Sequence, residues 1–268
     1  MWIAVEVSVG VYVALVSVIF AFQRHLMYHP AKNIAPPEVY GLSGVEDVFL
    51  SSADGVKLQA WVRAGRKGMP TVVYFHGNAA NLSDRASKFG GFIEAGLGLV
   101  ALSYRGYGKS DGYPSEAGLY ADARAAIAYA KSVMHVPQQK LVYYGESLGS
   151  GVAVQMAVEQ VPALLMLEAA YTSVETRSAE LYPFVLGVRS LVLDKYDSLA
   201  KIKNVHAPLL MLHGQRDEII PLAHARTLFA AANDPKQMVV YPDLHHTDYS
   251  NGQIIVPLID AVRKYKIV

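Results

Sequence analysis

The chain has 268 residues, 52% of them hydrophobic and 18% charged, with 24 Lys and Arg against 23 Asp and Glu for a net charge of +1. Together with a mean hydropathy of +0.21, this excludes a disordered chain, and the lack of a dense basic block argues against a nucleic-acid partner. No cysteine is present, which rules out disulfides, thiolate metal sites and a thiol nucleophile.

From Ile3 to Phe22 the sequence carries one charge, Glu6, over about the twenty apolar residues needed to cross a bilayer core as a helix. Trp2 and Tyr28 stand at its two ends, where amphipathic aromatics meet the headgroups. The acidic start and the exit through Phe22, Gln23 and Arg24 differ from the basic start and small-residue cleavage site of a signal peptide. Residues 1–29 therefore read as a single-pass anchor with its juxtamembrane segment, and the competing readings are a buried core helix and a removable signal that would leave the body free and secreted. Arg24 and Lys32 follow the span and no Lys or Arg precedes it, which places the body on the cytoplasmic side. His25 and His29 lie four apart just past the span and read as a polar interfacial face, since no third ligand accompanies them.

Residues 30–268 form the body. After a proline-rich linker at Pro30, Pro36 and Pro37, two alternating stretches flank Asp54-Gly55 and predict an antiparallel hairpin. Apolar runs at 71–75, 98–104, 140–145, 163–169, 208–214 and 237–242 follow, each of strand length and bounded by turn residues. Helix-like stretches, among them Ser115 to Val133 and Leu222 to Ala232, lie between them. Continuous apolar strands alternating with helices predict a mostly parallel sheet with helices on both faces. The connection at 171–207 is longer than usual and strongly apolar, and it is expected to form a small helical cap over the site, against the plainer reading of one more sheet-covering helix.

Gly145-Glu146-Ser147-Leu148-Gly149 lies directly between a predicted strand and a predicted helix. A nucleophile elbow needs this placement, because glycines allow the sharp turn that lifts the serine hydroxyl clear of the sheet. Ser147 is the expected nucleophile. A serine requires a base, and the base requires an acid to hold its tautomer. Asp217, in the loop after the run at 208–214, is the expected acid, with Glu168 as the spare and Glu218 pointing elsewhere. The base comes from the loop after the last strand, where His245 and His246 compete and His246 is preferred. Backbone N–H groups of Asn78 and Leu148 are expected to hold the oxyanion, with His76 bracing the loop and Arg105 bracing the turn at 104–108.

These motifs carry a resemblance. The chain resembles the α/β-hydrolases, and within them the membrane-anchored serine hydrolases related to the yeast Bem-type proteins and to the mammalian ABHD lipases and protein depalmitoylases. The stretches FQRHLMYHP, HGNAANLSDR, SYRGYGKSDGYPSEAGLYADA, GESLGSG, DKYDSLAKIKNVHAPLLMLHGQRDEIIP and YPDLHHTDY carry it. Aligning Tyr241-Pro242-Asp243 and Asp248 onto the family's final motif puts His246 at its histidine, although Leu244 stands where Gly is usual and Thr247 where Asn is. The resemblance implies hydrolysis of acyl esters or thioesters through an acyl-enzyme, without metal or organic cofactor. Acyl transfer with the same triad and a noncatalytic membrane-anchored binding protein are the alternatives.

Overall fold

The computed structural model describes residues 2–267, with side chains from Val5 onward, so the expectation for the Trp2 ring lies outside the described residues. Helix α1, Trp2–Met27, is a single 26-residue helix. Its stretch Val5–Met27 has a hydropathy of 2.2 and is long and apolar enough to cross a membrane, and none of its most apolar window is buried. Tyr28, expected to present its ring to the headgroups, is instead buried within the protein, and its hydroxyl lies 2.8 Å from that of Tyr196.

The body is built on an eight-stranded sheet: β1 Glu46–Ser51, β2 Lys57–Arg63, β3 Thr71–Phe75, β4 Gly98–Leu102, β5 Leu141–Glu146, β6 Leu164–Glu168, β7 Leu209–Gly214 and β8 Lys236–Tyr241. The spatial order is β1-β2-β4-β3-β5-β6-β7-β8. The β1–β2 and β2–β4 pairs are antiparallel and all the others parallel. Every residue of β3 through β7 is buried, which is why these strands appear in the sequence as unbroken apolar runs.

Side chains alternate across the sheet and feed two cores. Val73 and Phe75 join Leu165, Leu167 and Met211 under α3 (Glu116–Ser132), α4 (Leu148–Glu159) and α8 (Leu222–Ala231). Val72 and Tyr74 join Phe89, Phe92, Tyr144 and Leu258 under α2 (Ala86–Glu94) and α9 (Asn251–Lys264). The last two helices are obscured in the sequence by Gly90-Gly91 and by Pro257, residues that lower helix propensity although packing holds both helices here.

The 171–207 connection folds as α5 Val174–Leu181, α6 Val188–Leu191 and α7 Ser198–Ile202. Each expected reading applies to one part of it. Helix α7 packs on α4 and covers the sheet, whereas α5 and α6 overhang the C-terminal edge of the strands and line a cavity there.

Candidate active site

Strand β5 ends at Glu146 and α4 begins at Leu148, leaving Ser147 alone in the turn at φ 50°, ψ −117°. A Cβ placed on Gly149 would collide with the carbonyl oxygen of Phe75, and one on Gly145 would lie 2.6 Å from the Cα of Ser150. Both glycines are therefore required for α4 to press this close to β3 and β5. The Ser147 amide donates to the Glu168 carbonyl at 2.9 Å, which fixes the turn against β6.

His246 Nε2 lies 2.8 Å from Ser147 Oγ, and His246 Nδ1 lies 2.7 Å from Asp217 Oδ2. A carboxylate only accepts, so Nδ1 carries the proton and Nε2 is left to accept from the serine hydroxyl. The other oxygen of Asp217 takes the amides of Ile219 and Ile220 at 2.9 and 2.7 Å. Burial works against charge on Asp217, but the His246 hydrogen bond and the Ile220 amide outweigh it, holding the carboxyl below its usual range. Buried His213 donates from Nε2 to the Ile220 carbonyl at 2.8 Å and closes this loop from below.

The neighbouring histidine and acid form a separate pair outside the site. His245 Nδ1 lies 2.8 Å from Glu218 Oε1, both exposed, and this hydrogen bond raises the imidazole pKa. Of the two histidines in the loop, only His246 contacts Ser147. Glu168, the spare acid in the sequence reading, is elsewhere too: it is fully buried on the α2 side of the sheet, where Lys88 Nζ approaches its two oxygens at 3.0 and 2.8 Å.

Lys88 also donates to Glu146 Oε2 at 2.6 Å, and Arg85 Nη2 to Glu146 Oε1 at 2.9 Å. The hydroxyls of Tyr74 and Tyr144 close the cluster on Glu146 and Glu168 respectively. Burial opposes the charge on Glu146, and Lys88 with Arg85 outweighs it and lowers its pKa. Glu168 is raised, by burial first and by the nearby Glu146. This network lies directly beneath the elbow. Its one trace in the sequence is the acidic residue that closes each of two adjacent apolar strands, β5 and β6.

Asn78 follows β3, and its own groups tie it to the end of α1, to the residue after the juxtamembrane turn and to the 104–108 turn: its side chain donates to the Met27 carbonyl at 2.8 Å, and its carbonyl accepts from the His29 amide at 2.9 Å and the Tyr107 hydroxyl at 2.7 Å. Leu148 is the first residue of α4, where a peptide N–H has no intrahelical acceptor. Asn78, Leu148 and Ser147 line one cavity of about 310 Å³ whose other walls are mostly apolar, with Gln23, Arg177 and Ser178 the polar exceptions. His76 sits behind this loop, buried against Tyr104 and Tyr107 with ring centroids at 4.3 and 4.8 Å. Burial and the charge of Arg85 push its pKa down to about 3, so it is a neutral brace whose Nδ1 donates to the Gly77 carbonyl at 2.7 Å. Arg105 braces the neighbouring turn through Asp122 at 2.7 Å and Asp54 at 2.8 Å.

A family model described as the alpha/beta hydrolase fold matches residues 70–180. The alpha/beta hydrolase domain-containing protein WAV2 of Arabidopsis thaliana is 33% identical over 279 residues, covering 91% of this chain and 88% of that protein. Protein bem46 of Schizosaccharomyces pombe is 29% identical over 262 residues, covering 91% and 87%. Among solved structures, an esterase of Pyrococcus furiosus superposes with a TM-score of 0.70 at 18% identity, over 90% of this chain and 97% of that one, a likeness of fold. With its elbow after β5, its sheet order and these relatives, the chain belongs to the α/β-hydrolase family.

Proposed function

We propose that this protein is a membrane-anchored serine hydrolase that cleaves carboxylic esters or thioesters through an acyl-enzyme. The observation that carries the reading is the unbroken relay from Ser147 Oγ through the His246 ring to Asp217, at 2.8 and 2.7 Å, opening onto an apolar cavity. In this reading Ser147 Oγ attacks the acyl carbonyl while His246 Nε2 takes the hydroxyl proton and Asp217 stabilises the imidazolium. The amides of Asn78 and Leu148 hold the negative oxygen of the tetrahedral intermediate. His246 returns the proton to the departing alcohol or thiol, and a water, activated by the same nitrogen, frees the acid from Ser147. Helix α1 is the anchor, and Arg24 and Lys32 keep the body on the cytoplasmic side.

Labelling of the detergent-solubilised full chain with a fluorophosphonate probe, mapped by mass spectrometry, tests this directly. Modification confined to Ser147 and abolished in Ser147→Ala is expected, with ester turnover in His246→Ala reduced by about a thousandfold or more. A folded wild-type protein that takes up no probe and turns over neither esters nor thioesters overturns the reading.

A further inference from the structure

Most of α1 is exposed, but Tyr12, Val16, Ile19, Gln23 and Met27 are partly covered. Their spacing of three and four draws a single stripe along one side of the helix. That stripe faces the cap. Tyr12 Oη accepts from the Leu186 amide at 2.7 Å and donates to the Phe184 carbonyl at 3.2 Å. Eleven residues further on, Gln23 repeats the pattern, accepting from the Leu193 amide at 2.9 Å and donating to the Leu191 carbonyl at 3.2 Å. The two polar residues of the stripe thus satisfy backbone groups of the cap, as required where no water can do so.

Tyr12 and Gln23 are separated along the helix axis by about 16 Å. Gln23 and Arg24 mark the polar end of the span, so the cap tip that Tyr12 holds stands at the level of the helix midpoint. The tip is suited to that depth. Residues 181–188 carry no charge, and Leu181, Tyr182, Phe184 and Leu186 are all exposed, Leu186 at 78%. The charges nearest it in sequence are engaged, Arg177 with Glu180 at 2.9 Å and Arg189 with the Thr176 hydroxyl at 3.1 Å. An uncharged apolar tip of this kind on a water-facing surface would be an aggregation liability.

Between the stripe and the cap runs the cavity that ends at Ser147. Val16, Ile19, Phe20 and Leu26 of α1 form one wall, and Leu181, Val185 and Val188 face them from the cap. Resting on the hydrolase reading above, we propose that α1 is a wall of the acyl-binding groove as well as an anchor, that the 181–188 tip sits in the hydrocarbon of the adjoining leaflet, and that the substrate is a long-chain acyl group entering sideways from the bilayer. From Met27, beside the oxyanion loop, to Val16 the groove follows α1 for about 16 Å, the reach of roughly a dozen extended methylenes. Val16 and Ile19 then set the acyl-chain length.

Two measurements on the full chain in phosphatidylcholine vesicles test this. First, Phe184→Trp and, separately, Leu186→Trp are made in a Trp2→Phe background, which leaves the fully buried Trp61 as the only other indole. Quenching by lipids brominated along the acyl chain, with little quenching by aqueous iodide, is expected; quenching by iodide and not by brominated lipid overturns the proposal without touching the triad. Second, the ratio of kcat/KM for hexadecanoyl over butanoyl esters is compared between wild type and Ile19→Trp. A fall of tenfold or more is expected, and an unchanged ratio overturns the role of α1 as a groove wall. Absence of probe labelling and of turnover on both esters in the wild type instead sinks the hydrolase reading, and the bromine result still reports where the tip lies.

Discussion

Ser147 holds φ at 50° with ψ at −117°, a region that costs an L-residue about 1–3 kcal/mol and that glycine enters freely. The turn is imposed on it by β5, by α4 and by the bond from its amide to the Glu168 carbonyl. It follows that the strain belongs to the backbone position and not to the hydroxyl. Ser147→Gly is therefore expected to be more stable than Ser147→Ala by about 1 kcal/mol, although both lose probe labelling. Urea unfolding of the two variants, compared at equal slope, checks this; an alanine variant as stable as the glycine one would mean that the turn is relaxed. At this scale the sequence was informative where chemistry depends on type and spacing. The elbow glycines, Ser147 and Asp217 could be named from it as candidates, and the base could be narrowed to the adjacent pair His245 and His246, with His246 preferred. The geometry separates that pair: the loop turns one ring toward Ser147 and the other toward Glu218.

Among elements, the strands were legible because β3 to β7 are buried on both faces, and an unbroken apolar run with turn residues at each end admits few other readings. What strand patterning cannot convey is which face receives a charge at a strand end. Glu146 and Glu168 stand opposite each other in the β5–β6 register, and both turn to the α2 side, where Lys88 joins them. Three segments far apart in sequence are held together there by one ammonium group. Replacing it by an isosteric apolar chain leaves two buried carboxylates facing each other, and losing one partner of a buried ion pair costs about 3–5 kcal/mol. Lys88→Met is expected to lose stability on that scale, and adding Glu168→Gln should restore part of it, because the raised acid is the one more easily spared its charge. Denaturant midpoints of the two single variants and the double variant measure the coupling, and strictly additive losses would show that Lys88 acts through packing alone.

For the whole molecule, the decisive contacts join the first thirty residues to the cap across some 170 positions of sequence, beyond the reach of any periodicity or motif. Asp194 is their hub. Its carboxylate accepts from Arg24 Nε at 2.8 Å and Nη2 at 3.1 Å, from the Tyr28 hydroxyl at 3.1 Å and from the Glu116 amide at 3.0 Å. It thereby ties α1, the cap and the start of α3 to one point. The Arg24 side chain is half exposed, so the ion pair by itself contributes little. The larger part of the energy lies with Tyr28, which is buried and would keep only its contact with the Tyr196 hydroxyl. Asp194→Ala is thus expected to lower stability by about 1–3 kcal/mol, the range for a buried donor left without its acceptor. Asp194→Asn, which keeps an oxygen for the tyrosine, should recover much of the loss. The change also has a local signature, because a released Arg24 becomes accessible to trypsin at the junction between anchor and body. Limited proteolysis in vesicles should show faster cleavage after Arg24 in Asp194→Ala than in the wild type. If the unfolding midpoint falls while that cleavage rate stays constant, Asp194 serves the fold of the cap and α3 alone, and α1 is held to the body by Tyr12, Gln23 and the Asn78 loop.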